Sequence, residues 1–134
     1  MKKMMFGLMA ILMMTGCGNS KADSDTEDLL EKQAESTQDM IDHCSEWSVE
    51  DWMSYMNTSN DLALEFWESD PSADEIEEFD ELMKKHSKAL DNIDDDTFYN
   101  MKIARNRLND DDNFVKTMAK IKKTARKVRR RNKH

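Results

Sequence analysis

Beyond position 25 the apolar residues of this chain recur at steps of three and four rather than two. The clearest run is Ile76, Phe79, Met83, His86, Leu90 and Ile93. A helix turns once in ~3.6 residues, so such a run lines one helix face. Strand-like alternation of period two is absent from the same stretch. Three Gly and one Pro in 134 residues also leave few turn-formers for an all-β fold. The expected fold class is all-α: one small antiparallel bundle of four to five short helices joined by short loops.

The spacing places a first helix over about 25–46, with Leu30, Ala34, Thr37, Met40, Ile41 and Cys44 on one side. A second starts at Ser48. There Ser48 and Asp51 have the spacing of an acidic capping box, and Trp47 and Trp52 that of a hydrophobic staple. Its stripe is Val49, Trp52, Met53, Met56, Asn60, Ala63 and Trp67, widened by Leu62, Leu64 and Phe66, which predicts the most buried helix. Asp70-Pro71-Ser72 ends it, and Ser72 with Glu75 repeats the capping spacing for a third helix over about 73–92. The fourth, about 97–108, shows Phe98, Met101, Arg105 and Leu108 on one side. The fifth, about 113–130, shows Phe114, Met118, Ile121, Ala125 and Val128. The helical domain thus runs over 25–128, and a basic tail over 129–134.

The stripes are narrow. Leu, Ile, Val and Phe make up 16% of the residues after position 16, in the range where high charge opposes folding. The core should be thin and its stability modest.

Ahead of this domain lies a different kind of segment. Lys2 and Lys3 precede an apolar run from Met4 to Met14. A membrane-spanning helix needs ~20 apolar residues, so eleven read as the core of an export leader. The run ends Met14-Thr15-Gly16-Cys17, which resembles the lipobox of bacterial lipoproteins, with Met14 where that family favours Leu. The resemblance covers the first 17 residues only. It implies a signal peptide over 1–16, cleavage between Gly16 and Cys17, a diacylglycerol thioether on Cys17 and acylation of the new amino group. Residues 17–24 would then be a lipid-anchored flexible tether. The resemblance also implies a cell-envelope address, with the membrane as a partner through lipid. Gly18, where Asp often marks inner-membrane retention in that family, favours the outer membrane.

Charge is segregated along the chain. Residues 17–100 carry 25 acidic and 5 basic side chains; residues 101–134 carry 3 and 13. Acid at helix starts and base at helix ends suit the helix dipole and account for part of this. The remainder has two readings. The preferred one packs the last helix along the first three, apolar stripe inward and lysines toward their carboxylates. The alternative turns Lys122, Lys123, Arg126, Lys127, Arg129, Arg130 and Arg131 toward an anionic membrane surface. Nucleic acid is not an expected partner, because no aromatic residues interleave the basic run. The acidic body suits a cationic peptide or basic envelope protein. Pairing between copies is left open.

A catalytic constellation does not emerge. His43 and Cys44 are neighbours, which a helix directs ~100° apart. Met40 and Met83 stand where a di-iron bundle would carry Glu three residues before His43 and His86. The triplets Asp94–Asp96 and Asp110–Asp112 lack the glycine and twelfth-position Glu of a calcium loop. Cys44 on an apolar stripe reads as a small buried hydrophobe. No cofactor or metal is expected, and the chain reads as a non-enzymatic binding or structural module.

Overall fold

A computed structural model describes residues 22–132, with side chains from Thr26 onward. The leader, Gly16 and Cys17, most of the tether, and the last two residues lie outside the described part. Among the described residues the fold is all-α. Helix α1 spans Ala22–His43 and runs into a 3-10 turn, Cys44–Glu46; α2 spans Val49–Glu68, α3 Ala73–Leu90, α4 Asp95–Asn109 and α5 Asp112–Arg131. Helix α1 begins three residues before the spacing predicts.

The helix starts follow from local chemistry. The Ser48 hydroxyl accepts the Asp51 amide at 3.2 Å while the Asp51 carboxylate accepts the Ser48 amide at 3.1 Å. Ser72 and Glu75 make the same reciprocal pair at 3.2 and 2.8 Å. Each box satisfies two amides that the first turn leaves free. Trp47 meets Trp52 edge-on at 5.0 Å between ring centroids, so the staple forms. The aspartate triplets are caps as well: Asp94 accepts the Thr97 amide at 2.8 Å, and Asp111 those of Asn113 and Phe114. Between α2 and α3 the chain reverses through Asp70 at φ 60, a left-handed turn that Asp tolerates better than most residues. The buried Pro71 follows it.

Helix α2 is the spine, in contact with α1, α4 and α5. Thr26 meets Ser69 and Gln33 meets Ser59, so α1 runs antiparallel to α2. Phe66 stacks on Phe79 and Tyr55 on His86, so α3 is antiparallel to α2 and parallel to α1. Val128 joins the cluster around Phe66 and Trp67, while Met101 and Ala104 of α4 join the one around Trp52. Helix α4 thus serves as a crossover that lets α5 return beside α2.

Two stripes differ from expectation. On α4 the buried residues are Thr97, Met101, Ala104 and Leu108; Phe98 is 46% exposed and Arg105 is exposed. The small Ala104 lets the α4 backbone approach α2, which rotates Phe98 outward. On α1 the buried line is Thr26, Leu30, Gln33, Thr37, Met40 and Cys44, with Ala34 at its edge. Side-chain hydrogen bonds from Thr26 to Ser69, just past α2, and from Gln33 to Ser59 keep those polar residues inside. Asn60 does not interrupt α2.

Candidate functional site

The functional candidates are faces of helices, and α5 carries the clearest. Its inward side is set by Phe114 and Val128, buried, with Ile121 and Ala125 half-buried between them. Met118, expected on the same stripe, is 40% exposed.

The basic residues of α5 divide into two groups. Arg129 donates to both carboxylate oxygens of Asp80, at 2.8 and 3.2 Å, and its guanidinium lies 5.0 Å from the centre of the Trp67 ring. The hydrogen bond to Asp80 holds its pKa above the usual arginine value. Arg131 pairs with Asp70 at 3.0 Å, and the Asn132 amide donates to the Pro71 and Val128 carbonyls. Arg129 and Arg131 therefore clamp the end of α5 onto α3 and the α2–α3 turn. The apolar stripe of α5 faces inward as expected, but the pairs to the acidic body are made by these two arginines and not by the lysines expected to make them, because the lysines lie on the far side of the helix.

The other five predicted residues behave differently. Lys122, Lys123, Arg126, Lys127 and Arg130 are exposed, and none has a carboxylate partner among the described residues. Lys116 and Lys120, which the dense run at 122–131 overshadowed, belong with them. Lys116, Lys120, Lys123, Lys127 and Arg130 step by four, three, four and three, the spacing that would have revealed them.

Helix α4 carries exposed cations as well. Lys102 lies 5.7 Å from the centre of the Phe98 ring, Arg105 is exposed, and Arg107 pairs with Glu50 at 3.4 Å. The large hydrophobic residues exposed among those described are Phe98, Tyr99, Val115 and Met118, all on α4 and α5.

The acidic face lies on α1 and α3. An open groove of about 810 Å³ runs between these parallel helices, lined by the apolar Leu30, Ala34 and Leu82, by Glu27, Glu31, Glu78 and Glu81, and by Lys84, Lys85 and Lys88 toward the end of α3. Burial, then the fields of Glu31 and Asp28, raise the pKa of Glu35 beside it. Lys85 reaches across the groove to the Gln38 carbonyl oxygen at 3.1 Å.

Tyr55, His86, Cys44 and His43 are buried or paired within the bundle. The Tyr55 hydroxyl and His86 Nδ1 share a hydrogen bond of 2.7 Å. Burial pushes the Tyr55 phenol up, and burial with the nearby Arg105 charge pushes His86 down. His86 is thereby held neutral at neutral pH. Cys44 is 6% exposed, and burial raises its thiol pKa, which disfavours the nucleophilic thiolate. His43 instead meets Asp39, one turn back, at 3.8 Å. Among the described residues no group of three or more His, Cys, Asp or Glu side chains converges as a metal site would require, and no helix is long and apolar enough to cross a membrane.

No family model matches the chain, and comparison with curated proteins and with solved structures found no similar protein.

Proposed function

We propose that this chain is a lipid-anchored module of the cell envelope that acts by binding or structural support rather than by catalysis. The observation that carries the proposal is the N-terminal sequence: two lysines, an apolar run too short to span a bilayer, and Met14-Thr15-Gly16-Cys17. Each buried acyl CH₂ contributes ~0.8 kcal/mol, so two or three chains on Cys17 hold a small domain at the membrane without a spanning helix. Gly18 favours delivery to the outer membrane.

The acidic α1–α3 face is the surface for a cationic partner, either a basic peptide or a basic envelope protein. Its lining offers apolar contact from Leu30, Ala34 and Leu82 and carboxylates from Glu27, Glu31 and Glu78, so a cationic partner would sit at that end, away from Lys85 and Lys88. Such an interaction weakens as salt rises, because exposed charges are screened over ~8 Å at physiological ionic strength.

The decisive experiment is metabolic labelling with palmitate followed by intact-mass analysis of the membrane fraction. The proposal expects a labelled chain beginning at acylated Cys17, and a Cys17→Ser variant that takes up no label. A Cys17→Ser chain that matures and partitions like wild type would refute it.

A further inference from the structure

The unpaired cations of α5 and the exposed apolar residues of the molecule occupy the same pair of helices. On α5, Lys116, Lys120, Lys123, Lys127 and Arg130 form a row ~21 Å long at 1.5 Å per residue. The arginines that could compete for the same surface, Arg129 and Arg131, are already committed to Asp80 and Asp70. Folding thus neutralises the inner cations and leaves the outer row free. Val115 and Met118 on α5, and Phe98 and Tyr99 on α4, are 40–66% exposed. Lys102 stands exposed beside Phe98 on α4, and Arg105 is exposed two turns further along the helix.

We propose that the outward faces of α4 and α5 form a peripheral docking surface for an anionic lipid bilayer. Charge complementarity selects the partner. Lysines and arginines engage lipid phosphates, while a few phenyl, phenol and aliphatic groups enter the boundary between head groups and acyl chains. Lys122 and Arg126 lie on the flank of α5 that carries the exposed Val115 and Met118, next to the lysine row, and apolar groups there favour a bilayer over duplex nucleic acid, whose backbone offers such groups nothing to enter. Each cation near the surface contributes about fivefold in affinity. The surface works whether or not Cys17 is acylated. Where the lipid-anchored reading holds, it orients the module: α4 and α5 rest on the leaflet, and the α1–α3 groove stays available to another partner. A second weak contact beside a permanent one acts at high effective concentration.

The test uses the full chain carrying Cys17→Ser, so that acylation plays no part and the leader is common to every sample. Sedimentation with vesicles of phosphatidylcholine alone is compared with sedimentation with vesicles that also contain phosphatidylglycerol. Tighter binding to the anionic vesicles, falling with added salt, is expected. Combining Lys116→Gln, Lys123→Gln, Lys127→Gln and Arg130→Gln should weaken it by about six hundredfold, with the far-ultraviolet circular dichroism unchanged. The pair Val115→Ser and Met118→Ser should weaken it by roughly tenfold. Equal binding to both vesicle types, or full binding by the fourfold variant, would overturn the proposal, as would retention on duplex DNA without binding to either vesicle. Palmitate labelling of the wild-type chain tests the anchor separately, so the two readings can fail independently.

Discussion

The two halves of the core are built differently around the same helix. Near the C-terminal end of α2, Phe66 stacks on Phe79 and Trp67 meets both rings edge-on, against Leu30, Ile76 and Val128. Phe66 and Phe79 lie 4.5 Å apart and nearly parallel, and Arg129 covers the Trp67 ring. Near its N-terminal end, Trp52 and Tyr55 meet Met40, Cys44, Met101 and Ala104, and a tyrosine–histidine hydrogen bond is part of the packing. The Trp52 indole N–H is buried and meets no acceptor among the described residues. The first cluster is held by apolar contact and capped by a cation. The second mixes flexible methionines with groups that need hydrogen bonds or titrate, so acid should loosen it first.

The largest separation of the two should come from deleting one anchor in each. Phe66→Ala is expected to cost about 3–5 kcal/mol in urea unfolding, a large share of the stability of a chain this size. Met40→Ala leaves a smaller hole that neighbouring methionines can partly fill, and should cost less within a range of about 2–5 kcal/mol. Equal losses would show that the clusters are equally well packed.

The next effect is pH dependence. The folded-state pKa of His86 lies below its unfolded value of 6.5, so the unfolded chain binds the proton more readily. Its contribution is complete above that value and is lost as pH falls through 6.5 toward the folded pKa. Stability should therefore fall between neutral and mildly acidic pH, and His86→Gln should flatten that part of the profile. Amide exchange should quicken first around Trp52 and Met101, not around Phe66. Glu35 acts with the opposite sign at lower pH: its raised folded pKa costs stability as pH rises above 4.5.

Smaller changes probe single contacts. Tyr55→Phe removes one partner of His86 Nδ1 and should cost ~1 kcal/mol, read from the same unfolding curves. Arg129→Ala loses a bidentate pair and a ring contact, both partly exposed, and should cost ~1 kcal/mol. Arg131→Ala, which removes only an exposed pair, should fall near the lower end of ~0–1 kcal/mol. A cost for Arg131→Ala matching that for Arg129→Ala would show that the Trp67 contact contributes nothing.

Local features are legible in the order of residues alone. Ser48 with Asp51, and Ser72 with Glu75, state their helix starts because capping joins residues three apart. Trp47 and Trp52 are close enough in sequence for the staple to be read directly. The all-α class follows from spacings of three and four. Features that depend on a distant neighbour are less legible. Tyr55 is buried because it meets His86, 31 residues away. Phe98 is outside because Ala104 lets α4 close on α2. The candidate cations of α5 can be found as a row, but spacing cannot say which of them α3 takes.

Sequence by itself determined where the capped helices α2 and α3 begin, how narrow the apolar stripes are and how charge divides along the chain, because each depends on residues within a turn or two. The tertiary structure alone decided which cations are spent and which are free. Asp80 and Asp70 reach Arg129 and Arg131 only once α5 lies along α2, and no spacing within one helix encodes that meeting.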